Sequence, residues 1–199
     1  MKKLVVLCSL LLAFGTVPAQ IPGFSIGPKI GYNSNRLTSD IDSITSDPEG
    51  SFQVGAFIRI GKKVYFQPEV SYVIKGGSVN IRNFGVQEIT LKTITVPMLV
   101  GVRPINAGIF NLRFMAGPTM SFVSGKSIKP GEVIESWPIK SAGDIKDAIW
   151  SFQMGAGVDL FLMTIDVRYE IGVDNIYTGE SDFGLRNNLL NISLGIKLL

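Results

Sequence analysis

Ten charged side chains in this chain alternate with small or apolar residues, and they are the residues whose types could do chemistry. Asp166, Arg168 and Glu170, for example, are spaced two residues apart. Carboxylates beside basic groups suit an acid–base pair, a polar conduit for ions, or ion pairs that hold a structure together. The ten are Lys29, Arg59, Glu69, Lys75, Arg113, Asp159, Asp166, Arg168, Glu170 and Lys197.

The two residue types that catalytic and metal sites use most are almost missing. The chain has no histidine, and its one cysteine is Cys8. Without histidine there is no Ser-His triad and no imidazole ligand, and a single cysteine near the start forms no disulfide or Cys-ligated metal site. We therefore expect no enzyme activity, no cofactor and no bound metal.

The first 19 residues have the pattern of a secretory signal peptide. Lys2 and Lys3 precede an apolar run over 4–14, and small residues end at Ala19. The apolar run is too short to span a bilayer comfortably, so we expect cleavage near Ala19 and a single domain over 20–199. Removing the two lysines lowers the formal net charge from +3 to +1, which gives no reason to expect nucleic acid as a partner.

Eight stretches between Gly23 and Leu199 alternate an apolar residue with a polar or tiny one, which is the period of a β-strand. Short turns are expected at 61–63, at 104–108 and near Phe161. Longer loops are expected at 34–50, 76–86, 124–147 and 174–186. Because short and long connections alternate strictly, all long loops lie at one end, as in outer-membrane barrels with extracellular loops and periplasmic turns.

The side-chain volume on the two faces of the strands decides which face points outward. The alternative is a soluble barrel of the lipocalin type with the apolar face inside. An eight-stranded barrel has an interior only wide enough for side chains, and about five apolar residues per strand, many of them aromatic, do not fit there. The other face is mostly Gly, Ser, Thr and Asn. The sequence therefore predicts an all-β fold, an eight-stranded antiparallel up-and-down transmembrane β-barrel with its apolar face toward lipid.

The charged residues then fall on the inner face, where a charge is tolerated only when it is paired or hydrated. We expect a structural interior charge network, and the alternative is a narrow polar conduit. Lys75 and Asp159 are left out of the network because they lie near strand ends, where water reaches them. The predicted network is Lys29, Arg59, Glu69, Arg113, Asp166, Arg168, Glu170 and Lys197.

The third long loop carries apolar side chains, among them Trp137. Such residues on an extracellular loop mark a contact surface for a partner, or they pack over the barrel mouth. Both interpretations stay open.

Four short motifs lie on the predicted strands, namely Gly27–Gly31, Phe66–Glu69, Thr95–Leu99 and Ala116–Pro118. Together they resemble the motifs of the PorT-like family of outer-membrane β-barrel proteins. The resemblance implies a small eight-stranded barrel comparable to OmpA or OmpX, located in the outer membrane, with no defined activity. Each motif contains a proline inside a strand, where it removes a hydrogen-bond donor, so we expect local bulges at these positions.

Together these observations predict an integral outer-membrane protein with a structural or interaction role. Its partners would be the outer-membrane lipid and a protein or surface polymer bound through the extracellular loops. The alternative is a small porin-like channel for ions or small solutes.

Overall fold

Nine strands, numbered β1 to β9 in chain order, make up most of the part of the chain that the computed structural model describes. The structure describes residues 23–39, 44–47, 49–81, 85–129, 146–176 and 185–198. The strands are β1 (Phe24–Ser39), β2 (Ile44–Asp47), β3 (Glu49–Ile60), β4 (Val64–Ile81), β5 (Gly85–Ala107), β6 (Phe110–Lys129), β7 (Ala148–Leu160), β8 (Met163–Gly172) and β9 (Leu185–Ile196).

The strands form one closed antiparallel sheet. Around the barrel the order is β4, β3, β1, β9, β8, β7, β6, β5, and β5 pairs again with β4. The short β2 pairs with β4 at Asp47↔Ser78, and β3 pairs with β4 from Gln53↔Val73 onward, so β2 and β3 together occupy one strand position. The predicted eight-stranded antiparallel barrel is confirmed. Closure gives every strand except the short β2 two hydrogen-bonded neighbours and removes the sheet edge of the barrel.

Three tight turns lie at one end of the barrel, together with the first and last described residues. Gly61 has a φ of 122° and Gly108 a φ of 67°, backbone conformations that glycine adopts without strain, and Phe161 closes the third turn with a φ of 54°. The Gly61 N–H donates to the Gly23 carbonyl at 3.1 Å. We call this the turn end, and the opposite end, which carries the long connections, the loop end.

The strands extend further toward the loop end than the sequence predicted. β1 runs to Ser39 and β2 lies within the predicted first loop, while β4 and β5 run to the pair Ile81↔Gly85 within the predicted second loop. At the turn end β5 continues to Ala107, so the second turn is shorter than 104–108. On β1 the reason is that most side chains beyond Tyr32 are polar, so the ladder continues although the apolar alternation is lost.

The two faces of each strand differ as the volume argument predicts. On β8 Val167 and Tyr169 are exposed on the outer wall, whereas Asp166 and Arg168 are buried in the lumen. Phe52 on β3 is the most exposed of the large apolar side chains, with 73% of its surface accessible. The outer wall of the described barrel is therefore apolar, and the lumen holds the polar side chains.

The expected bulges at the in-strand prolines are not found, so that prediction is wrong. Pairing between β4 and β5 is interrupted beside Pro68 and Pro97, yet it resumes in the same alignment on the far side. The recorded register shifts lie instead between Lys92 and Thr93 and between Val102 and Ile105, both where β5 pairs with β6. At the four motif prolines, Pro28, Pro68, Pro97 and Pro118, the missing donor therefore removes individual ladder bonds without adding a residue to the strand. Pro104, which belongs to none of these motifs, lies within the second register shift.

Two predicted features lie outside the described residues, namely the signal peptide over 1–19 and Trp137. Within the described ranges, no helix has the length and apolar character needed to cross a membrane.

Candidate functional site

Four charged side chains meet in the middle of the lumen, and we call them the central network: Lys29 on β1, Glu69 on β4, and Asp166 and Arg168 on β8. Arg168 donates to both oxygens of Glu69, at 2.7 and 2.9 Å, and to Asp166 Oδ2 at 2.6 Å. Lys29 Nζ donates to Glu69 Oε2 at 2.5 Å. All four residues are at most 4% exposed, so each charge depends on the others for compensation.

A second cluster, the mouth group, lies closer to the turn end and consists of Arg59, Arg103, Arg113, Asp159 and Lys197. Arg59 Nη1 donates to Asp159 Oδ2 at 3.1 Å, and Lys197 Nζ lies 3.7 Å from the same oxygen. Arg113 Nε lies 2.9 Å from Asp159 Oδ1, an ionic contact without the alignment of a hydrogen bond. Arg113 also donates from Nη2 to Asp166 Oδ1 at 2.6 Å, which joins the mouth group to the central network.

An aromatic side chain and an amide support these two clusters. The ring of Tyr65 is 2% exposed, with the guanidinium carbons of Arg59 and Arg103 5.4 and 5.1 Å from its centroid. Contacts of this kind contribute roughly 0.5–2 kcal/mol each. Gln67 accepts from Arg59 Nε at 2.6 Å and donates to Glu69 Oε1 at 2.6 Å, so it links the mouth group to the central network.

Nearer the loop end, Lys75 and Glu170 form a third cluster, the upper pair, in which the lysine donates directly to Glu170 Oε1. The Glu170 carboxylate also accepts from Ser151 Oγ and from Gln153 Nε2, each at 2.7 Å. Lys75 donates in addition to Ser121 Oγ at 2.9 Å. Both charges of the upper pair thus have a charged partner and neutral hydrogen-bond partners.

Glycines on neighbouring strands make room for the long charged side chains. Arg113 is paired across the strands with Gly157, and Arg168 with Gly155. A Cβ on Gly157 would lie 2.7 Å from Arg113 Nη2, and one on Gly155 would lie 2.8 Å from Arg168 Cγ. Because glycine has no side chain, these small inward residues leave the space that the guanidinium groups occupy.

Little room remains in the lumen. The cavity between the central network and the upper pair has a volume of about 10 Å³, which holds roughly one water molecule. Gln153 Oε1 and Arg168 Nε, both on residues that line this cavity, have no hydrogen-bond partner among the described residues. A wider polar cavity of about 350 Å³ opens toward the loop end and is lined by Asn35, Ser51 and Lys75, among others.

The eight residues of the predicted interior network all face the lumen and all take part in ion pairs. Seven are fully buried, and Lys197 lies at the edge with a side chain 15% exposed. Sequence reasoning set aside Lys75 and Asp159, which the structure places inside the upper pair and the mouth group. The alternation had put both on the inner face, and that signal outweighs their position near strand ends.

Lys197 lies just past β9. Burial and repulsion by Arg59, Arg113 and Arg103 lower the pKa of its ammonium group, and the attraction of Asp159 acts in the opposite direction.

No group of three or more metal-ligating side chains comes together in the described part of the chain. The three clusters therefore present ion pairs and hydrogen bonds, with no pair of free carboxylates for acid–base work among the described residues.

Comparison with known protein families identifies this architecture. A family model described as an outer membrane protein beta-barrel domain matches residues 19–178. The chain belongs to this family. The apolar outer wall is accordingly the surface that meets the lipid of the outer membrane.

Solved structures of other outer-membrane barrels have a similar fold. Neisserial surface protein A (NspA) is 13% identical, with a TM-score of 0.53, over 88% of this chain and 99% of that chain. OprG from Pseudomonas aeruginosa is 10% identical, with a TM-score of 0.52, over 89% and 93% of the two chains. Ail of Yersinia pestis, solved in complex with the heparin analogue sucrose octasulfate, is 12% identical over 88% and 99%, with a TM-score of 0.43. At these identities the likeness to NspA and OprG concerns the fold alone. No curated protein sequence matches the chain.

Proposed function

We propose that this protein is a sealed outer-membrane barrel with a structural or interaction role, which displays its loop end outside the cell and its turn end to the periplasm. The occlusion of the lumen is the observation that carries the proposal. Between the central network and the upper pair the free volume is only about 10 Å³. Long extracellular loops and short periplasmic turns are the usual orientation of such barrels.

The blocking side chains are held firmly, which argues against a simple pore. An ion crossing the central network has to separate Glu69 from both Lys29 and Arg168, which bind it at 2.5 to 2.9 Å. Breaking a buried ion pair costs about 3–5 kcal/mol because it leaves an uncompensated charge. The wider cavity near the loop end stops at Lys75 of the upper pair.

The finer assignments follow from the same reasoning. We propose that residues 1–19 direct export and are cleaved near Ala19, and that the chain is a PorT-like member of its family. Three of its four motif prolines lie on the adjacent strands β4, β5 and β6, with Pro68 opposite Met98 and Pro97 opposite Thr119. We further propose that the barrel is not an enzyme and that its loops, including Trp137, contact a protein or surface polymer.

Planar-bilayer recordings test whether the lumen is sealed. We expect no single-channel steps from the wild-type protein. Arg168→Gly, which removes the side chain that joins Glu69 to Asp166, is expected to produce conductance. The matched control is Arg36→Gly, an exposed arginine on β1, which should stay silent. Steady wild-type steps that change on substitution of Arg59 or Glu69 would instead establish the small porin-like channel.

Crosslinking on intact cells tests the interaction role. A photo-crosslinker placed in the loop region beside Trp137 should capture a specific partner, and capture should fall with Trp137→Ala. The matched control places the same crosslinker in the turn at Lys62, which faces the periplasm in the proposed orientation. Equal capture from both positions contradicts a partner outside the cell.

A further inference from the structure

Positive charge is in excess at one place in the lumen. In the central network two cations face two carboxylates, and in the upper pair one cation faces one carboxylate. The mouth group is different because four cations share a single carboxylate of their own, Asp159. The four are Arg59, Arg103, Arg113 and Lys197.

Asp159 has no capacity left for the last of these cations. Its two oxygens lie 3.1 and 3.3 Å from Arg59 Nη1, 2.9 Å from Arg113 Nε and 3.7 Å from Lys197 Nζ. Arg113 has a second carboxylate within reach, whereas Arg59 and Lys197 share only this one among the described residues. A single carboxylate balances one unit charge, so the remaining repulsion is not compensated by the described residues.

Arg103 is the fourth cation of the mouth group, the one for which Asp159 has no capacity left. It lies on the inner face of β5 beside the register shift at Val102/Ile105, half-buried, with its guanidinium group over the Tyr65 ring. Its Nε is buried and has no hydrogen-bond partner among the described residues. A buried guanidinium donor without an acceptor is costly, so an anion beside this guanidinium group is favourable.

The position suits a ligand that comes from the periplasmic side. Arg103 and Lys197 both point inward at the turn end and are both partly exposed. The neighbouring turn adds the exposed Lys62 and Lys63, and the described residues at this end include no exposed carboxylate. The field at the mouth therefore attracts anions.

We propose that the turn-end mouth of the barrel is a binding site for a phosphate group, held between Arg103 and Lys197. A guanidinium presents paired donors that match phosphate oxygens, and an ammonium group adds a point charge. The phosphate belongs either to a phospholipid headgroup of the inner leaflet or to a small soluble phosphate compound. This proposal does not depend on what the loops bind.

Thermal unfolding of the refolded barrel in a maltoside detergent, which carries no phosphate, tests the site. At equal ionic strength, inorganic phosphate in place of chloride should raise the midpoint by about 2–4 °C, the shift expected for a modest gain in stability of a chain this size. The variant Arg103→Gln/Lys197→Gln should lose this shift. The control Arg36→Gln/Lys92→Gln removes the same charge from exposed positions away from the turn end and should keep the shift.

A second measurement protects the test against a variant that folds poorly. In chloride alone, Arg103→Gln/Lys197→Gln should unfold no earlier than wild type, because it relieves repulsion, whereas Asp159→Asn should unfold clearly earlier. An equal phosphate shift in wild type and in the double variant overturns the proposal. A rise in the wild-type unfolding midpoint that chloride produces equally well also overturns the proposal.

The source of the phosphate is resolved in vesicles without free phosphate. If the ligand is a lipid headgroup, phosphatidylglycerol should stabilise wild type more than the double variant relative to an uncharged, phosphate-free galactolipid. If the ligand is soluble, the two proteins should differ only when inorganic phosphate is added. Absence of any difference under both conditions refutes the site.

Discussion

Replacing Arg168 by glutamine is the sharpest test of the idea that the lumen charges hold the barrel shut. The substitution keeps a hydrogen-bonding side chain but removes the charge that joins Glu69 to Asp166. Three charge-assisted hydrogen bonds are lost, at 2.7 and 2.9 Å to Glu69 and at 2.6 Å to Asp166. Each bond of this kind contributes about 1.5–3 kcal/mol when counted alone.

The expected total is smaller than the sum because both carboxylates keep other partners. Glu69 still has Lys29 at 2.5 Å and Gln67 at 2.6 Å, and Asp166 still has Arg113 at 2.6 Å. Removing one partner of a buried pair costs about 3–5 kcal/mol, and we expect the lower end here, about 3 kcal/mol of unfolding free energy.

Urea titration of the protein in lipid vesicles, followed by tryptophan fluorescence and by the gel mobility of the unheated sample, measures this loss. The control Arg36→Gln, at an exposed arginine of β1, should change stability by no more than about 0.5 kcal/mol. The double variant Glu69→Gln/Arg168→Gln should lose less than the two single variants added together, because it leaves no unpaired Glu69 charge. A cost below about 1 kcal/mol for Arg168→Gln, equal to that of the control, refutes the reasoning and indicates a hydrated lumen.

Three further predictions concern the outer wall, the lumen glycines and the upper pair, and all use the same urea titration. Leu194→Arg, at the centre of the outward apolar residues between Leu190 and Leu198, should cost about 2–4 kcal/mol and Leu198→Arg near the turn end about 0–1 kcal/mol; equal costs contradict a lipid-facing wall. Gly157→Ala should destabilise by more than about 1 kcal/mol because its Cβ displaces the Asp166 carboxylate and the Arg113 guanidinium, and a neutral result means that the lumen is loosely packed. Lys75→Met should cost about 3–5 kcal/mol, and adding Glu170→Leu should restore most of it; a double variant worse than the single would show that the upper pair is not coupled.

The sequence was sufficient for the fold because lipid outside and a narrow lumen inside impose the same period-two pattern on every strand. The pattern fails where that contrast ends. Beyond Tyr32 on β1 the outward side chains Ser34 and Arg36 are polar, and on the inward face only Leu37 is apolar, so the apolar alternation is lost although the strand continues to Ser39. The predicted loops were therefore too long.

The sequence also predicted that each of these charged side chains points into the lumen, but it did not predict which residue each one pairs with. Glu69 binds Arg168, 99 residues away, and Arg59 binds Asp159, 100 residues away. In both cases the partners lie on strands that are not neighbours in the sheet. Which pairs meet depends on the tilt and stagger of the closed barrel, which alternation along one strand does not encode. For the same reason the charge excess around Asp159 was not visible in the sequence.

These long-range ion pairs explain how a barrel with an apolar outer wall acquires a fixed shape. The outer wall contacts hydrocarbon whatever the cross-section of the barrel. Contact with lipid therefore does little to stabilise one cross-section over another. Inside, one buried apolar cluster among the described residues consists of Tyr65, Leu99 and Met115, and most of the other fully buried side chains there are polar or charged. Contacts from β4 to β8, such as Lys75 to Glu170 and Glu69 to Arg168, connect strands separated by other strands and lose their geometry when the cross-section flattens. The ion pairs therefore act as cross-braces, which accounts for a chain that keeps so many charges where apolar side chains of similar volume would fill the lumen equally well.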